Sequence, residues 1–325
     1  MKILAVDDDE SIRELLTMIL AEAGITDVTL ASSAGNALRV IAAQPEPFEC
    51  FLLDIQMPGG DGIELCSNIR KLPAYQKTPI IMLTAMQEKS FINDAFVAGA
   101  TDYTTKPFDI AELCTRVRMA KLLVDEQRKV RELAASSGRS FEDATGHLET
   151  DFTTRLDLGG VKGLVSKQAF ENYLGQLSRT GLQSSRFFAI HVQDGRKVFD
   201  RGTPSEFGFA LRHVADAAMT SPILGVVLMC YMGSGNFICC SNAATLETIE
   251  RLEGNIQDIL DDKDLTYDDG SPLDVEIAVG AAVQPLSSEA LQLDDLEPQA
   301  IKRAMVRIEE KRSVPAVLNI RRIRI

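Results

Sequence analysis

The stretch Cys50-Phe51-Leu52-Leu53-Asp54-Ile55-Gln56-Met57-Pro58-Gly59-Gly60-Asp61-Gly62 decides how the first half of the chain folds. A short apolar run, Phe51 to Leu53, ends on one carboxylate and a Pro-Gly-Gly turn follows at once. That order predicts a buried parallel strand with Asp54 at its C-terminal tip. In open α/β sheets, sites are built along that edge. An Asp ahead of Pro-Gly also starts ordinary turns, so the stretch needs support from elsewhere in the chain.

Three other apolar runs supply it. Ile3 to Val6 ends in Asp7-Asp8-Asp9, Ile80 to Leu83 ends in Thr84-Ala85, and a weaker run near Tyr103 ends in Lys106-Pro107. Four strand ends therefore carry acid, acid, hydroxyl and ammonium. Gathered at one sheet edge, the carboxylates form a hard oxygen site suited to Mg²⁺, with a lysine and a hydroxyl ready for a phosphoryl group.

These residues and their spacing resemble the receiver domain of two-component response regulators, over about residues 1–125. The resemblance implies a doubly wound, five-stranded parallel (βα)5 flavodoxin-like fold. It implies that Asp54 is the phosphoacceptor, serving a sensor histidine kinase or a phosphotransfer protein. Asp7, Asp8 and Asp54, with the backbone carbonyl of Gln56, would hold Mg²⁺. Lys106 would pair with the phosphate, Thr84 would swing its hydroxyl onto it, and Tyr103 would move inward.

The bulk composition sets limits. With 325 residues and 45% hydrophobic residues, two ordinary domains are expected, each with its own core. A formal net charge of −13 disfavours broad electrostatic binding to nucleic acid or to an anionic membrane surface. Arg321, Arg322 and Arg324 leave room for a small basic patch. The six cysteines form no CxxC and have no metal-ligand spacing to the three histidines, which points to reduced thiols in a cytoplasm. The pair Cys239-Cys240 fits strand filler better than a redox device. The apolar start is too short for a secretory signal, and Pro222 to Met232 is too short to span a membrane. The expected location is cytoplasmic, without membrane insertion.

In chain order, strands at Ile3–Val6, Val28–Ala31, Phe51–Asp54, Ile80–Thr84 and Thr101–Thr104 alternate with helices marked by three-and-four apolar spacing. The last helix starts at Asp109 and keeps its stripe through Leu113, Val117, Ala120, Val124, Gln127 and Arg131. Over 109–135 it reads either as a signalling helix able to pair with its copy in a homodimer, or as an amphipathic helix lying on its own domain. Polar residues over 136–151 read as a linker.

The remainder, 152–325, orders as an α+β domain with an antiparallel sheet and helices packed on one face. Its helices are expected at Ser166–Leu177, Ser205–Met219, Ala243–Leu260 and Glu297–Lys311. Strands are expected at Phe187–Val192, Leu224–Met232, Phe237–Cys240, Val275–Val283 and Val317–Ile320, with a hairpin turn at Gly233-Ser234-Gly235-Asn236.

Asp157-Leu158-Gly159-Gly160-Val161 and the Gly233–Phe237 hairpin resemble a worn copy of the GGDEF family of diguanylate cyclases, which implies a cyclase-palm, ferredoxin-like fold. Cyclisation of GTP needs carboxylates to hold Mg²⁺ against the triphosphate, yet the two acidic signature positions are Gly235 and Asn236. The other metal carboxylate falls at His191 to Gln193, and the inhibitory Arg-x-x-Asp site falls at Leu224 and Val227.

The expectation is therefore a degenerate, non-catalytic output domain acting on a downstream protein partner, with no contact to nucleic acid. The alternative is a nucleotide-binding or residually active cyclase. His191 as a metal ligand, and the Asp258 to Asp269 cluster as a Ca²⁺ site, are weaker readings than a satisfied histidine and a solvated acidic loop.

Overall fold

The computed structural model describes residues 1–58, 60–85, 89–136, 151–156, 158–180, 185–222, 226–241, 246–284 and 293–313. Gly59, the linker over 137–150, Asp157, Leu224, the start of the helix expected from Ala243, the strand expected at Val317–Ile320, and Arg321, Arg322 and Arg324 lie outside the described residues. The chain divides into two compact units, Met1–Glu149 with Gln168–Thr180, and Thr150–Lys167 with Gly181–Ile325.

The first unit alternates strand and helix. Strands β1 (Ile3–Val6), β2 (Val28–Ala31), β3 (Cys50–Asp54), β6 (Ile80–Thr84) and β7 (Asp102–Thr105) form one sheet; β4 (Gln56–Met57) and β5 (Gly60–Asp61) make a two-residue hairpin beside it. Helices α1 (Glu10–Glu22), α2 (Ala34–Ala43), α3 (Gly62–Arg70), α4 (Lys89–Val97) and α5 (Ile110–Ser136) connect and cover them. The order is β2-β1-β3-β6-β7 and every pairing is parallel.

Strand residues alternate between two buried faces. Ile3, Ala5, Cys50, Leu52, Ile81 and Leu83 meet Leu16, Ile19 and Leu20 of α1 and Leu113, Val117 and Ala120 of α5. The intervening Leu4, Val6, Phe51, Leu53, Ile80 and Met82 are equally buried, on the face that α2, α3 and α4 cover. Burial on both faces explains why these strands read as unbroken apolar runs.

Local signals set the helix ends. Asp9, Ser33 and Asp61 accept hydrogen bonds from the first-turn N–H groups of α1, α2 and α3. Gly24 takes φ +78° just after α1. Helix α5 keeps contact with its own unit to Arg128: Val124 is buried, Gln127 Nε2 donates to Lys77 O at 3.2 Å, and Arg128 pairs with Glu49.

A sixth helix, α6 (Lys167–Thr180), follows the linker in sequence, yet Gln168–Thr180 group with the first unit. Asn172 Nδ2 donates to Thr101 O at 2.8 Å, Tyr173 Oη to Asn93 Oδ1 at 2.8 Å, and Gln176 Nε2 to Tyr103 O at 2.9 Å. Tyr173 also meets Phe96 edge-on at 5.4 Å. β7 is an edge strand, and this helix lays one amide side chain against its Tyr103 carbonyl and another against the Thr101 carbonyl just before it.

The second unit holds a four-stranded sheet, β11-β8-β10-β9, antiparallel throughout. Its strands are β8 (Arg186–Gln193), β9 (Val226–Gly233), β10 (Asn236–Ser241) and β11 (Glu276–Val279). Its helices are α7 (Gly195–Arg201), α8 (Pro204–Thr220), α9 (Leu246–Asp261) and α10 (Leu293–Ser313).

The helices do not share one face, contrary to the expectation from sequence. Phe207, Leu211 and Val214 of α8 and Leu252 and Ile256 of α9 join Phe188, Ile190, Val192, Phe237 and Cys239 in one core. Helix α10 buries Leu296, Ala300 and Ala304 outside that cluster, against the opposite side of β8 and β11. Phe187 to Ile190 and all of β10 are buried residue after residue because both sides are covered. The Ser234-Gly235 turn has positive φ at both residues (+53° and +73°), as a two-residue hairpin of type I′ requires. All six cysteines are reduced thiols and buried, Cys239 and Cys240 among them.

Arg70 stitches the loops at the far side of the first unit from the strand tips. Its guanidinium donates to Gly99 O at 2.8 Å, Tyr75 O at 2.6 Å and Thr78 O at 2.7 Å. Arg70→Ala is expected to cost about 3 kcal/mol, because several part-buried carbonyls lose their donor together. A urea midpoint equal to that of the wild type would contradict this.

Candidate functional site

The topology builds the site. β1 sends the chain to β2 on one side, and β3 then returns on the other, so the space beyond the tips of β1 and β3 is left open to a ligand. Register does the rest. Val6 pairs with Leu53, Asp54 with Leu83, and Thr84 with Thr105, so Asp7, Asp54, Thr84 and Lys106 all emerge at neighbouring strand tips.

The structure brings the expected residues together. Lys106 Nζ lies 2.7 Å from Asp7 Oδ2 and 3.0 Å from Asp54 Oδ1. Carboxylate oxygens of Asp7, Asp8 and Asp54 lie within 4.8 Å of one another. Asp7 and Asp54 are buried and Asp8 is exposed. Three converging oxygens, two at a buried strand tip, fit a small hard cation such as Mg²⁺. Asp9, the third acid of the run, caps α1 instead. Gln56 opens β4, paired with Asp61.

Thr84 is fully buried, and its carbonyl accepts from the Lys106 N–H at 2.6 Å. The Lys106-Pro107 peptide is cis. Tyr103 is fully buried and hydrogen-bonded through its side chain to Thr84. The ring occupies the interior of the first unit.

The electrostatics follow from crowding. Burial pushes the Asp54 carboxyl above its ordinary range; the Lys106 ammonium opposes this, and Asp7 and Asp8 add to it. Burial disfavours the Lys106 charge, but its hydrogen bonds to Asp7 and Asp54 outweigh that and hold the ammonium above its usual pKa. Burial takes the Tyr103 phenol to about 12, so it stays a neutral hydroxyl.

Two supporting residues escaped the sequence reading. Arg13 Nη1 donates to Asp7 O at 2.8 Å and Asp8 O at 2.9 Å, fixing the acidic loop from below. Gly62 N donates to Ile55 O at 2.9 Å, and a Cβ at Gly62 would lie 1.9 Å from Asp54 O. Only glycine lets the backbone pass that close. The Gly60-Asp61-Gly62 run carried that signal, as turn glycine.

A sequence model of the response regulator receiver domain matches residues 3–118. Among curated proteins, the transcriptional regulatory protein ResD of Bacillus subtilis (strain 168) is 43% identical over 118 residues, 36% of this chain and 46% of that protein. The DNA-binding response regulator MtrA of Mycolicibacterium smegmatis is 30% identical over 220 residues, 68% of this chain and 83% of that protein. Among solved structures, a putative response regulator from Chloroflexus aurantiacus J-10-fl is 38% identical, covers 37% of this chain and 95% of its own, and superposes with a TM-score of 0.35. The chain spans about half the length of ResD. No helix among the described residues is long and apolar enough to cross a membrane.

Two substitutions test the geometry. Gly62→Ala forces backbone apart beneath Asp54 and is expected to cost about 3 kcal/mol, the upper end for overpacking; unchanged stability would contradict the close approach. Asp54→Asn is expected to raise the melting temperature at pH 7. The folded-state pKa of Asp54 is raised, so the stability this group contributes is lost as pH rises through that pKa, and the ionised carboxylate is a burden at neutral pH. The gain should shrink as pH falls and vanish below about 4, where the carboxyl is protonated in both states. A gain that grows on acidification would show the opposite sign.

Proposed function

The chain belongs to the response regulator family, and we propose that its first unit accepts a phosphoryl group on Asp54 from a phosphohistidine of a sensor kinase or phosphotransfer protein. The observation that carries this is the Lys106 ammonium held between the Asp7 and Asp54 carboxylates at the tips of three parallel strands.

An Asp54 carboxylate oxygen attacks phosphorus in line, the P–N bond breaks, and the imidazole leaves. Lys106 turns from its carboxylate partners to the phosphoryl oxygens. The Thr84 hydroxyl donates to another of them. Asp7, Asp8 and Asp54, with the Gln56 carbonyl, would hold Mg²⁺, which when bound offsets the phosphoryl charge. The acquired charge of about −1.5 to −2 is large enough to bias a two-state element.

For the second unit we infer a degenerate, non-catalytic GGDEF-like output that works by contacting a downstream protein. The hairpin turn offers no carboxylate at Gly235 or Asn236. Its polar groups are engaged within the protein: Ser234 N donates to Phe152 O at 3.0 Å, Gly235 N to Tyr231 Oη at 3.2 Å, and Asn236 Oδ1 lies 2.8 Å from His191 Nδ1. A Cβ at Gly233 would lie 2.4 Å from Thr153 O, so backbone already covers this turn. Burial lowers the His191 pKa, with Asn236 opposing, which leaves a neutral imidazole bound to an amide. A cytoplasmic location follows from the kinase partner.

The name of MtrA, a DNA-binding response regulator, favours a second reading, a DNA-binding output, against the expectation of no nucleic-acid contact. The MtrA alignment is longer than the stretch the receiver match covers. The net charge of −13 weighs against it.

Beryllofluoride with Mg²⁺ is expected to raise the melting temperature of the wild type and leave Asp54→Asn unmoved; an equal response in both would sink the phosphoacceptor assignment. GTP with Mg²⁺ is expected to give no cyclic dinucleotide and no thermal shift. Duplex DNA at physiological salt is expected not to raise fluorescence anisotropy, and saturable binding there would replace the protein-contact reading with the DNA-binding one.

A further inference from the structure

We propose that the side chains of Glu253, Gln257 and Lys311 form a clasp over the outer edge of β11, which keeps a second copy of this chain from adding its own β11 there. Strand β11 stands at the end of the order β11-β8-β10-β9. Its inner side pairs with β8, and its outer side has no strand among the described residues. An edge of that kind is a template for another chain.

Side chains take the outward backbone groups instead. Gln257 Oε1 accepts from Ile277 N at 3.1 Å, and Gln257 Nε2 donates to Val275 O at 2.9 Å. Glu253 Oε2 accepts from Val279 N at 2.8 Å. Lys311 Nζ donates to Ile277 O at 2.8 Å, and Gln193 Nε2 donates to the same oxygen at 2.9 Å. The fit follows from spacing. Four residues of helix rise about 6 Å and two residues of antiparallel strand about 6.8 Å, so oxygens carried at 257 and 253 of α9 meet the alternate N–H groups at 277 and 279.

The clasp closes from both sides of the sheet. Helix α9 shares a core with Ile277 and Val279 through Leu252 and Ile256, while α10 packs against the opposite side of β8 and β11. Glu253 Oε1 lies 3.3 Å from Arg307 Nη2 and 3.4 Å from Lys311 Nζ, which joins the two helices across the edge. Glu253 is only 7% exposed, and a carboxylate so placed depends on its cations and its N–H donor.

The occupant kept out is β11 of another copy. Two identical strands related by a twofold axis run antiparallel, so each satisfies the outward groups of the other. The groups such a pairing needs, Ile277 N and O and Val279 N, are those the clasp already holds. Strand addition must first displace interior hydrogen bonds, and that cost keeps the edge shut.

The test is binding of a fluorescein-labelled peptide spanning 274–284 to the full chain, read by fluorescence anisotropy. Glu253→Ala with Gln257→Ala is expected to bind the peptide about 10-fold more tightly than the wild type, the equivalent of about two interior hydrogen bonds that no longer have to be displaced. Gln257→Leu removes two contacts and leaves the ion pairs in place; it is expected to shift binding the same way and covers the case in which the double variant does not fold. A peptide carrying Ile277→Pro lacks the N–H that pairing uses and is expected to bind neither variant. Leu252→Ala loosens the same helix without touching the edge and is expected to behave like the wild type. Folded clasp variants that bind no better than the wild type, equal binding of the proline peptide, or tight binding by Leu252→Ala would overturn the clasp.

Discussion

Carboxylate oxygens of Asp7, Asp8 and Asp54 converge to within 4.8 Å at the tips of buried strands, and one ammonium, Lys106, bridges two of them. Like charges that close are tolerable only with a cation between them or a proton shared among them. The fold supplies the crowding. A parallel sheet whose strand order reverses at β1 puts two acid-bearing tips side by side, and the register of β6 and β7 delivers the hydroxyl and the ammonium one strand over each time. Burial then raises Asp54 instead of letting it relax as an ordinary surface acid. The site is held in a state that an incoming cation or phosphoryl group relieves.

The parts of this site that stood out in the sequence are those where one residue type at one strand end is sufficient. Asp54, Thr84 and Lys106 each close an apolar run, and a reader who finds the runs finds the residues. Gly62 and Arg13 work through backbone approach and backbone carbonyls, and neither leaves a periodic trace. Tyr103 was visible as a residue but not as a conformation: its burial and its bond to Thr84 depend on β7 and what lies over it. In the second unit, the unbroken burial of Phe187 to Ile190 marks a strand covered on both faces, and the sequence carries that run in plain view. The one-faced expectation followed from element order, which does not say where a last helix returns. Helix α7 was missed because its seven residues are mostly polar and begin after Asp194 in a left-handed conformation, which reads as a turn.

Helix α6 shows a different limit. Its apolar spacing at Phe170, Tyr173, Leu174 and Leu177 identifies a buried face in the sequence, and all four are fully buried. Spacing cannot name what buries them. Asn172 and Gln176, polar residues flanking that face, are what tie the helix to β7, and an amide on a helix is ordinarily read as solvent-facing. The sequence position after a linker assigned the helix to the second half; its hydrogen bonds assign it to the first.

The central claim is that Asp54 is the group that becomes phosphorylated. The direct measurement is intact-mass and peptide-level mass spectrometry after incubation with acetyl phosphate and Mg²⁺. The account predicts one added phosphoryl group per chain, on the peptide that contains Asp54, and none in Asp54→Asn. An unmodified wild type, or equal labelling of the variant, would contradict it.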